Sequence, residues 1–365
     1  MTHALITIAV ALVAGLVSAG LVRTLERLAV RLGLVQAPRE ERDVHDRPLP
    51  RIGGLGPFVG FLTAVGVSFW FPVERYPVEV ERILLLAIGS VLVVAVMLYD
   101  DLVGASPLHK LGWQAAAAAM VTFPRLRGPG HGLVIGQFNN PFGGVIHLPA
   151  AVAIGVTFFW ILGMMNTVNW IDGLDGLAGS VTLIAALVLF IHTYFQPPGD
   201  PQFTISLLPA ALGAAVIGFL PFNWHPARIL MGDTGAMFLG FALAVISIIG
   251  GAKIATALLT LWVPILDVAW VILYRLLNGH SPLQADAGHL HHRLLELGWT
   301  QRQIVLVMAG ISALLGAVSL LAPGPELKLF ALVVVGVVGL AVLGALARHS
   351  GRLAERAMSE STRRP

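Results

Sequence analysis

Eleven times along this 365-residue chain, a mainly apolar run of near-bilayer length gives way to a short polar stretch. An α-helix rises about 1.5 Å per residue, so about 20 apolar residues cross a hydrocarbon core about 30 Å thick. The runs lie near residues 3–22, 54–72, 83–99, 112–124, 149–165, 177–195, 204–221, 235–251, 254–274, 303–322 and 327–347. They imply an all-α fold, a polytopic integral membrane bundle of about 11 transmembrane helices. No soluble domain fits between them. Charged residues make up 12% of the chain, half of the roughly 25% that a soluble surface carries. With no cysteine, disulfides and thiolate metal sites are excluded. Residues 1–22 read as a retained first span rather than a cleaved signal, because Arg23, Arg27 and Arg31 follow the apolar run instead of preceding it.

Lys and Arg set the expected orientation. With the N-terminus outside, the inner segments hold 17 of the 23 basic residues, among them Arg39, Arg42, Arg47, Lys110, Arg228, Arg363 and Arg364, while the outer ones keep few, such as Lys253. The C-terminus is then cytoplasmic. Two regions follow: a membrane-embedded domain over 1–347 with cytoplasmic active-site loops, and a basic cytoplasmic tail over 348–365, expected to be solvated and partly irregular.

Four polar clusters interrupt the spans. They are Tyr99-Asp100-Asp101 with Lys110; the series Asn166, Asn169, Asp172 and Asp175; Asn223 through Gly232-Asp233-Thr234-Gly235; and His289, His291, His292 and Arg293. Counted along the eleven spans, they follow the third, fifth, seventh and ninth, and so share the cytoplasmic face. Two carboxylates about 4 Å apart repel by about 4 kcal/mol at an effective dielectric near 20. A gathering of five such groups therefore titrates upward or takes a divalent cation. Oxygen-only ligands suit Mg²⁺ or Mn²⁺ rather than zinc. Each piece alone has a plainer reading. An Asp pair also ends a helix in water, and Asp233 also serves as a helix cap. The series at three-residue steps places sequential neighbours on one helical turn. The histidines lack the spacing of a zinc helix; phosphate or sugar contacts, with Arg293 as a bidentate donor, fit better. Asp267 lies inside a span, where an ionisable group faces the bundle interior, for function or for structure.

Taken together, these residues resemble the polyprenyl-phosphate N-acetylhexosamine-1-phosphate transferases. The likeness runs from about Pro48 to Leu295. It rests on Arg47-Pro48-Leu49-Pro50-Arg51-Ile52-Gly53-Gly54, Asp100-Asp101, the Asn-Asn-Asp-Gly-Leu-Asp-Gly series, Phe222-Asn223 with Pro226-Ala227, and Met231-Gly232-Asp233. The resemblance implies a Mg²⁺-dependent enzyme that takes a UDP-N-acetylhexosamine and a polyprenyl (undecaprenyl) phosphate, releasing UMP. It implies Asp233 and Asn169 as metal ligands, and Asp100 as the residue that deprotonates or orients the lipid phosphate. Asp101 supports the site and positions Lys110, and Asp172 is needed for activity. Asn223 and Asp175 contact the uridine. His289, His291, His292 and Arg293 meet the sugar and phosphates. The His-Leu-His-His-Arg loop resembles members that use UDP-GlcNAc more than the phospho-MurNAc-pentapeptide members, which carry three consecutive histidines. Departures from the pattern are Ala236 where Ser is frequent, Leu230 where an aromatic often stacks near uracil, and His280 where Lys or Arg is common.

Two rivals make different predictions. An intramembrane prenyltransferase shows Asp motifs at four-residue steps, and the steps here are three. A transporter with a mid-membrane site needs ionisable groups deep in its spans and two similar halves; Asp267 is the main such group and no repeat is evident. The expected setting is the inner (plasma) membrane, with the lipid bilayer, the UDP-sugar and the lipid phosphate as partners and no nucleic acid; a homodimer is compatible with the sequence, which leaves the oligomeric state open.

Overall fold

The computed structural model describes residues 2–33, 35, 48–128, 130–195, 203–251, 254–277, 279, 289–322 and 324–361. Arg39, Arg42, Arg47, Lys253, His280, Arg363 and Arg364, singled out above, lie outside them. Every apolar run becomes helix. The first half holds α1 (His3–Leu32), α2 (Leu55–Ser68), α3 (Pro77–Val103), α4 (Pro107–Thr122), α5 (Ala150–Ile171) and α6 (Leu177–Tyr194). The second half holds α7 (Phe203–Asn223), α8 (Gly232–Ile249), α9 (Ile254–Thr260), α10 (Trp262–Leu277), a short α11 (Leu290–Glu296), α12 (Gln301–Leu321) and α13 (Pro325–Ser361). Between α4 and α5 the chain forms one antiparallel hairpin, β1 (Gln137–Asn139) with β2 (Val145–His147), an addition to the expected all-α plan.

The protein is a polytopic helical membrane protein. Among the described residues, eight helices are long and apolar enough to cross a bilayer, nine if the bent α9–α10 pair counts as one. The remaining expected spans are the 14-residue α2 and the 16-residue α4. The run at 254–274, expected as one span, bends by 77°. Pro264 accounts for the position of the bend. It has no N–H to donate, and its ring crowds the carbonyl four residues back, at Thr260, where α9 ends. The tail from Arg348, expected to be partly irregular, continues α13 to Ser361.

α8 is the axis of the bundle. Every residue from Thr234 to Ile249 is buried, as expected of a helix that is apolar all round. Neighbours approach through small residues, as membrane helices do where no hydrophobic drive separates lipid from protein. A side chain at Gly218 of α7 would strike the Gly15 carbonyl of α1, and one at Gly240 of α8 would strike the Met164 carbonyl of α5. Proline and side-chain caps fix the helix starts at the polar end. Ser106 accepts the His109 N–H ahead of Pro107 at the start of α4, and Thr300 with Gln303 closes a capping box on α12. The four polar clusters meet at this one end of the bundle, as their places along the chain imply.

Candidate active site

The site begins with the last turn of α3. Adjacent helical residues diverge by about 100°, so Asp100 and Asp101 face different neighbours. Asp101 reaches the start of α8. It accepts the Asp233 N–H at 3.1 Å, the Thr234 N–H at 2.9 Å and the Thr234 hydroxyl at 2.6 Å. The first N–H groups of a helix have no partner within it, and Met231, at the N-cap of α8, provides no side-chain bond. Asp101 thus caps α8 from another helix, where the helix dipole also favours a negative charge. Gly232 makes room for this contact. Its φ is +72°, and a β-carbon there would press on the Asp101 carboxylate and the Arg51 carbonyl.

Asp100 turns toward α4. One carboxylate oxygen accepts the Ala105 N–H at 2.6 Å, and the other pairs with the Lys110 ammonium. The same ammonium donates to Asp233 Oδ2 at 2.6 Å, and Asn169 Nδ2 on α5 donates to Asp233 Oδ1 at 3.1 Å. Asp100, Lys110, Asn169 and Asp233 thereby form one constellation across α3, α4, α5 and α8. One turn deeper, Gln114 and Asn166 exchange hydrogen bonds of 2.7 and 3.4 Å, clasping α4 to α5. Gln114 was not singled out by sequence. The available signal was an amide four residues after Lys110 in an otherwise alanine-rich apolar helix.

Asp172 follows the last residue of α5 and keeps part of its surface exposed. Burial of its carboxyl, with the Asp233 and Asp101 charges nearby, pushes its pKa well above the usual carboxylate range, and the Arg51 charge opposes that rise. The three-residue series does not stay on one face. α5 ends at Ile171, Asn166 and Asn169 remain helical, and Asp175 turns to a second cluster. There its Oδ2 accepts from the Ala227 N–H at 3.0 Å and meets His225 Nδ1 at 2.8 Å. Asn223 accepts the Gly176 N–H and donates to the Ile229 carbonyl, both at 3.0 Å. Asp175 and Asn223 therefore stitch the α5–α6 and α7–α8 loops together, and each is 2% exposed. The segment at 50–54 joins them by a backbone ladder, Leu230 N–H to Pro50 and Gly53 N–H to Leu230.

The histidine loop forms a third cluster. Asp267, fully buried in α10, meets His289 Nδ1 at 3.0 Å and accepts the Leu290 N–H at 2.8 Å. Its burial is thus matched by two hydrogen bonds that anchor the start of α11. The ring of His289 stacks on that of His291 at 5.7 Å, and His291 lies 4.4 Å from the ring of His292. His291 is buried against Gly173, and neither of its ring nitrogens has a hydrogen-bond partner among the described residues. Burial holds it neutral, with a pKa well below the usual histidine value. Arg293, expected to face phosphate, is buried, with an N–H 3.5 Å from the Leu343 carbonyl.

The donor set suits a hard divalent ion held by few protein ligands. Asp100, Asp172 and Asp233 supply carboxylates, and the carbonyl oxygen of Asn169 makes no hydrogen bond among the described residues. Lys110 bridges Asp100 and Asp233 there. Among the described residues no three Asp, Glu, His or Cys side chains close around one point.

Comparison with known proteins places the chain in a family. The pattern of glycosyl transferase family 4 matches residues 83–251. A probable undecaprenyl-phosphate N-acetylglucosaminyl 1-phosphate transferase of Bacillus subtilis (strain 168) is 32% identical over 78% of this chain and 75% of its own length. The decaprenyl-phosphate N-acetylglucosaminephosphotransferase of Mycolicibacterium smegmatis (strain ATCC 700084 / mc(2)155) is 34% identical over 77% and 73%. The undecaprenyl-phosphate alpha-N-acetylglucosaminyl 1-phosphate transferase of Escherichia coli (strain K12) is 25% identical over 81% and 78%. With α5, α8 and all but the first six residues of α3 inside the matched segment, and with relatives of 32% and 34% identity covered over most of their length, the chain belongs to glycosyl transferase family 4, among the polyprenyl-phosphate N-acetylhexosamine-1-phosphate transferases.

Proposed function

We propose that this protein transfers GlcNAc-1-phosphate from UDP-GlcNAc to a polyprenyl phosphate, giving a lipid-linked diphospho-sugar and UMP. The observation that carries the reading is one lysine shared by two carboxylates, Asp100 and Asp233, at the half-buried start of α8. Three charges there sum to −1, and Asp172 nearby adds more negative potential when ionised. Two anionic substrates enter such a site only if cations answer them.

Asp233 and Asn169 hold Mg²⁺ in this reading, and the ion, when bound, supplies the positive charge that the diphosphate and the departing UMP need. Lys110 moves from its carboxylates toward the diphosphate oxygens. Asp100, oriented by the Ala105 N–H, accepts a proton from the lipid phosphate. An oxygen of that phosphate then attacks the β-phosphorus of UDP-GlcNAc, and the bond from that phosphorus to the UMP oxygen breaks. This one-step route needs no enzyme nucleophile, because the lipid phosphate is already one. Asp101 keeps α8 in place, and Asp267 presents the histidine loop to the sugar and phosphates. His291, neutral and with neither ring nitrogen paired among the described residues, offers a donor and an acceptor to a bound ligand.

The eleven-span reading, with α2, α4 and the bent α9–α10 pair as short or broken crossings, places the N-terminus outside and the polar end in the cytoplasm, where UDP-sugars are made. Residues 1–347 then form the transferase in the plasma membrane, and 348–365 its cytoplasmic tail. The test is incubation of the purified protein with Mg²⁺, undecaprenyl phosphate and a panel of UDP-sugars, reading UMP release. UDP-GlcNAc is expected to support turnover. UMP release with UDP-MurNAc-pentapeptide alone rejects the sugar assignment, and a phospho-aspartate trapped with UDP-sugar alone rejects the one-step route.

A further inference from the structure

A second polar site lies at the same end of the bundle, outside the acidic centre. A cleft of about 370 Å³ opens between α1 and the loop after α7, lined by Arg23, Glu26, Arg27, Phe222 and Arg228. None of these residues belongs to α3, α4, α5 or α8. The lining holds three guanidinium groups and one carboxylate. Arg228 is the member already engaged. It lies 3.7 Å from Glu26, 4.7 Å over the Phe222 ring, and 3.5 Å from the Pro221 carbonyl. Among the described residues neither Arg23 nor Arg27 pairs with a carboxylate. The cleft is therefore cationic, and two of its cations face outward.

Its depth in the membrane is set by α1. No Lys, Arg, Asp or Glu precedes Arg23, so the apolar stretch of this helix ends at Val22 and the cleft begins at headgroup level. Leu12, Leu16, Arg23 and Arg27 are spaced by four, seven and four residues, which places them on one face of the helix. Leu12 and Leu16 are 56% and 69% exposed, and Gly20 between the two pairs has open space where a side chain would stand. An apolar track toward the membrane interior thus leads to a basic cleft at its edge. Basic pockets between helices on the cytoplasmic side recognise anionic headgroups.

We infer that this cleft binds the headgroup of an anionic phospholipid of the surrounding leaflet, with the phosphate between Arg23, Arg27 and Arg228 and an acyl chain along Leu16 and Leu12. A membrane-edge site of this kind tethers α1 to the end of α7 and the α7–α8 loop, the stretch that also carries Asn223 and His225.

The full chain, purified and exchanged into mixed micelles, tests this by native mass spectrometry with phosphatidylglycerol against phosphatidylcholine. Phosphatidylglycerol is expected to be retained in preference. The doubly substituted R23Q/R27Q is expected to lose retention about thirtyfold, from about 1 kcal/mol for each basic residue at a membrane surface. Glu26→Gln removes the competing carboxylate and is expected to raise retention, an outcome that loss of folding does not mimic. Equal retention of the two lipids overturns the inference, as does unchanged retention in R23Q/R27Q or reduced retention in Glu26→Gln. Displacement by millimolar inorganic phosphate assigns the cleft to a free anion, and displacement by one equivalent of polyprenyl phosphate assigns it to the substrate; either overturns it. No UDP-sugar is present, so failure here is separate from failure of the transferase reading.

Discussion

The acidic centre at the start of α8 and the histidine clasp between α10 and α11 use the same residue type in opposite ways. In the clasp, Asp267 spends its carboxylate on one backbone N–H and one imidazole and is fully buried. In the centre, Asp100 and Asp233 share a single ammonium, and Asp233 stays 29% exposed. A carboxylate satisfied by fixed donors holds structure. One satisfied by a partly exposed lysine has a partner that a substrate or an ion could replace. The partner, not the charge, separates the two roles.

The sharpest way to break this comparison is Asp233→Asn. It removes the exchangeable charge while keeping shape and one acceptor. UMP release in the presence of Mg²⁺ is expected to fall about 100-fold or more, in the range of losing a principal charge-stabilising group. The melting temperature should hold, because Lys110 keeps Asp100. Retention of more than about a tenth of the wild-type rate, beside typical losses of this size, rejects the metal assignment.

Asp101→Ala probes the boundary between the two roles. Asp101 lies next to Asp100 and touches Asp233, yet its bonds are those of a helix cap. Loss of its three hydrogen bonds to Asp233 and Thr234 is expected to cost about 2–3 kcal/mol of stability, the scale of bonds to a charged group. Turnover falls with it. Asp101→Asn keeps an acceptor and should lose less. Wild-type melting in Asp101→Ala would show that α8 needs no cap from α3.

These assignments mark what the sequence made legible. All eleven apolar runs are helical, and the four polar clusters share one end, because span length and alternation of ends are one-dimensional properties. Asp100, Asp101, Lys110, Asn169 and Asp233 were all recognisable as site residues, and all five meet. Their division of labour was not. Two adjacent aspartates look alike in sequence, and only the diverging directions of helical side chains send one to a lysine and the other to a helix end. Asp175 and Asn223 were expected at a ligand, whereas their hydrogen bonds run to backbone and to His225. The bend after Thr260 had a signal in Pro264, hidden by the continuous apolar run around it. Asp267 was left open between structure and function, because its partners lie 22 and 23 residues along the chain.

Within the clasp, Asp267→Ala frees His289 and the first N–H of α11. The expected signature is about a tenfold rise in KM for the UDP-sugar, with kcat within about threefold of wild type, as for a lost binding contact rather than a lost chemical group. A fall in kcat with unchanged KM would move Asp267 into the same class as Asp233 and erase the distinction between the two regions.

The smallest expected effect tests how far the acidic centre depends on support beneath it. Gln114→Leu removes the amide that exchanges hydrogen bonds with Asn166, one turn below Lys110 and Asn169. Asn166 still bonds to the Leu162 carbonyl, and what is lost is the link from α4 to Asn166 on α5, with the weaker contact of Gln114 to Met237 Sδ on α8 at 3.5 Å. Losing such a link costs about 0.5–1.5 kcal/mol. If part of it falls on the position of Lys110 or Asn169, kcat drops about threefold while the KM for both substrates holds. The Mg²⁺ concentration for half-maximal rate should rise in the same variant, because Asn169 is a proposed ligand and Gln114 is not. A drop in kcat without that shift would place the loss on Lys110 alone. An unchanged rate with a lower melting temperature would make the clasp purely structural, and the acidic centre would then owe its geometry to α3 and α8.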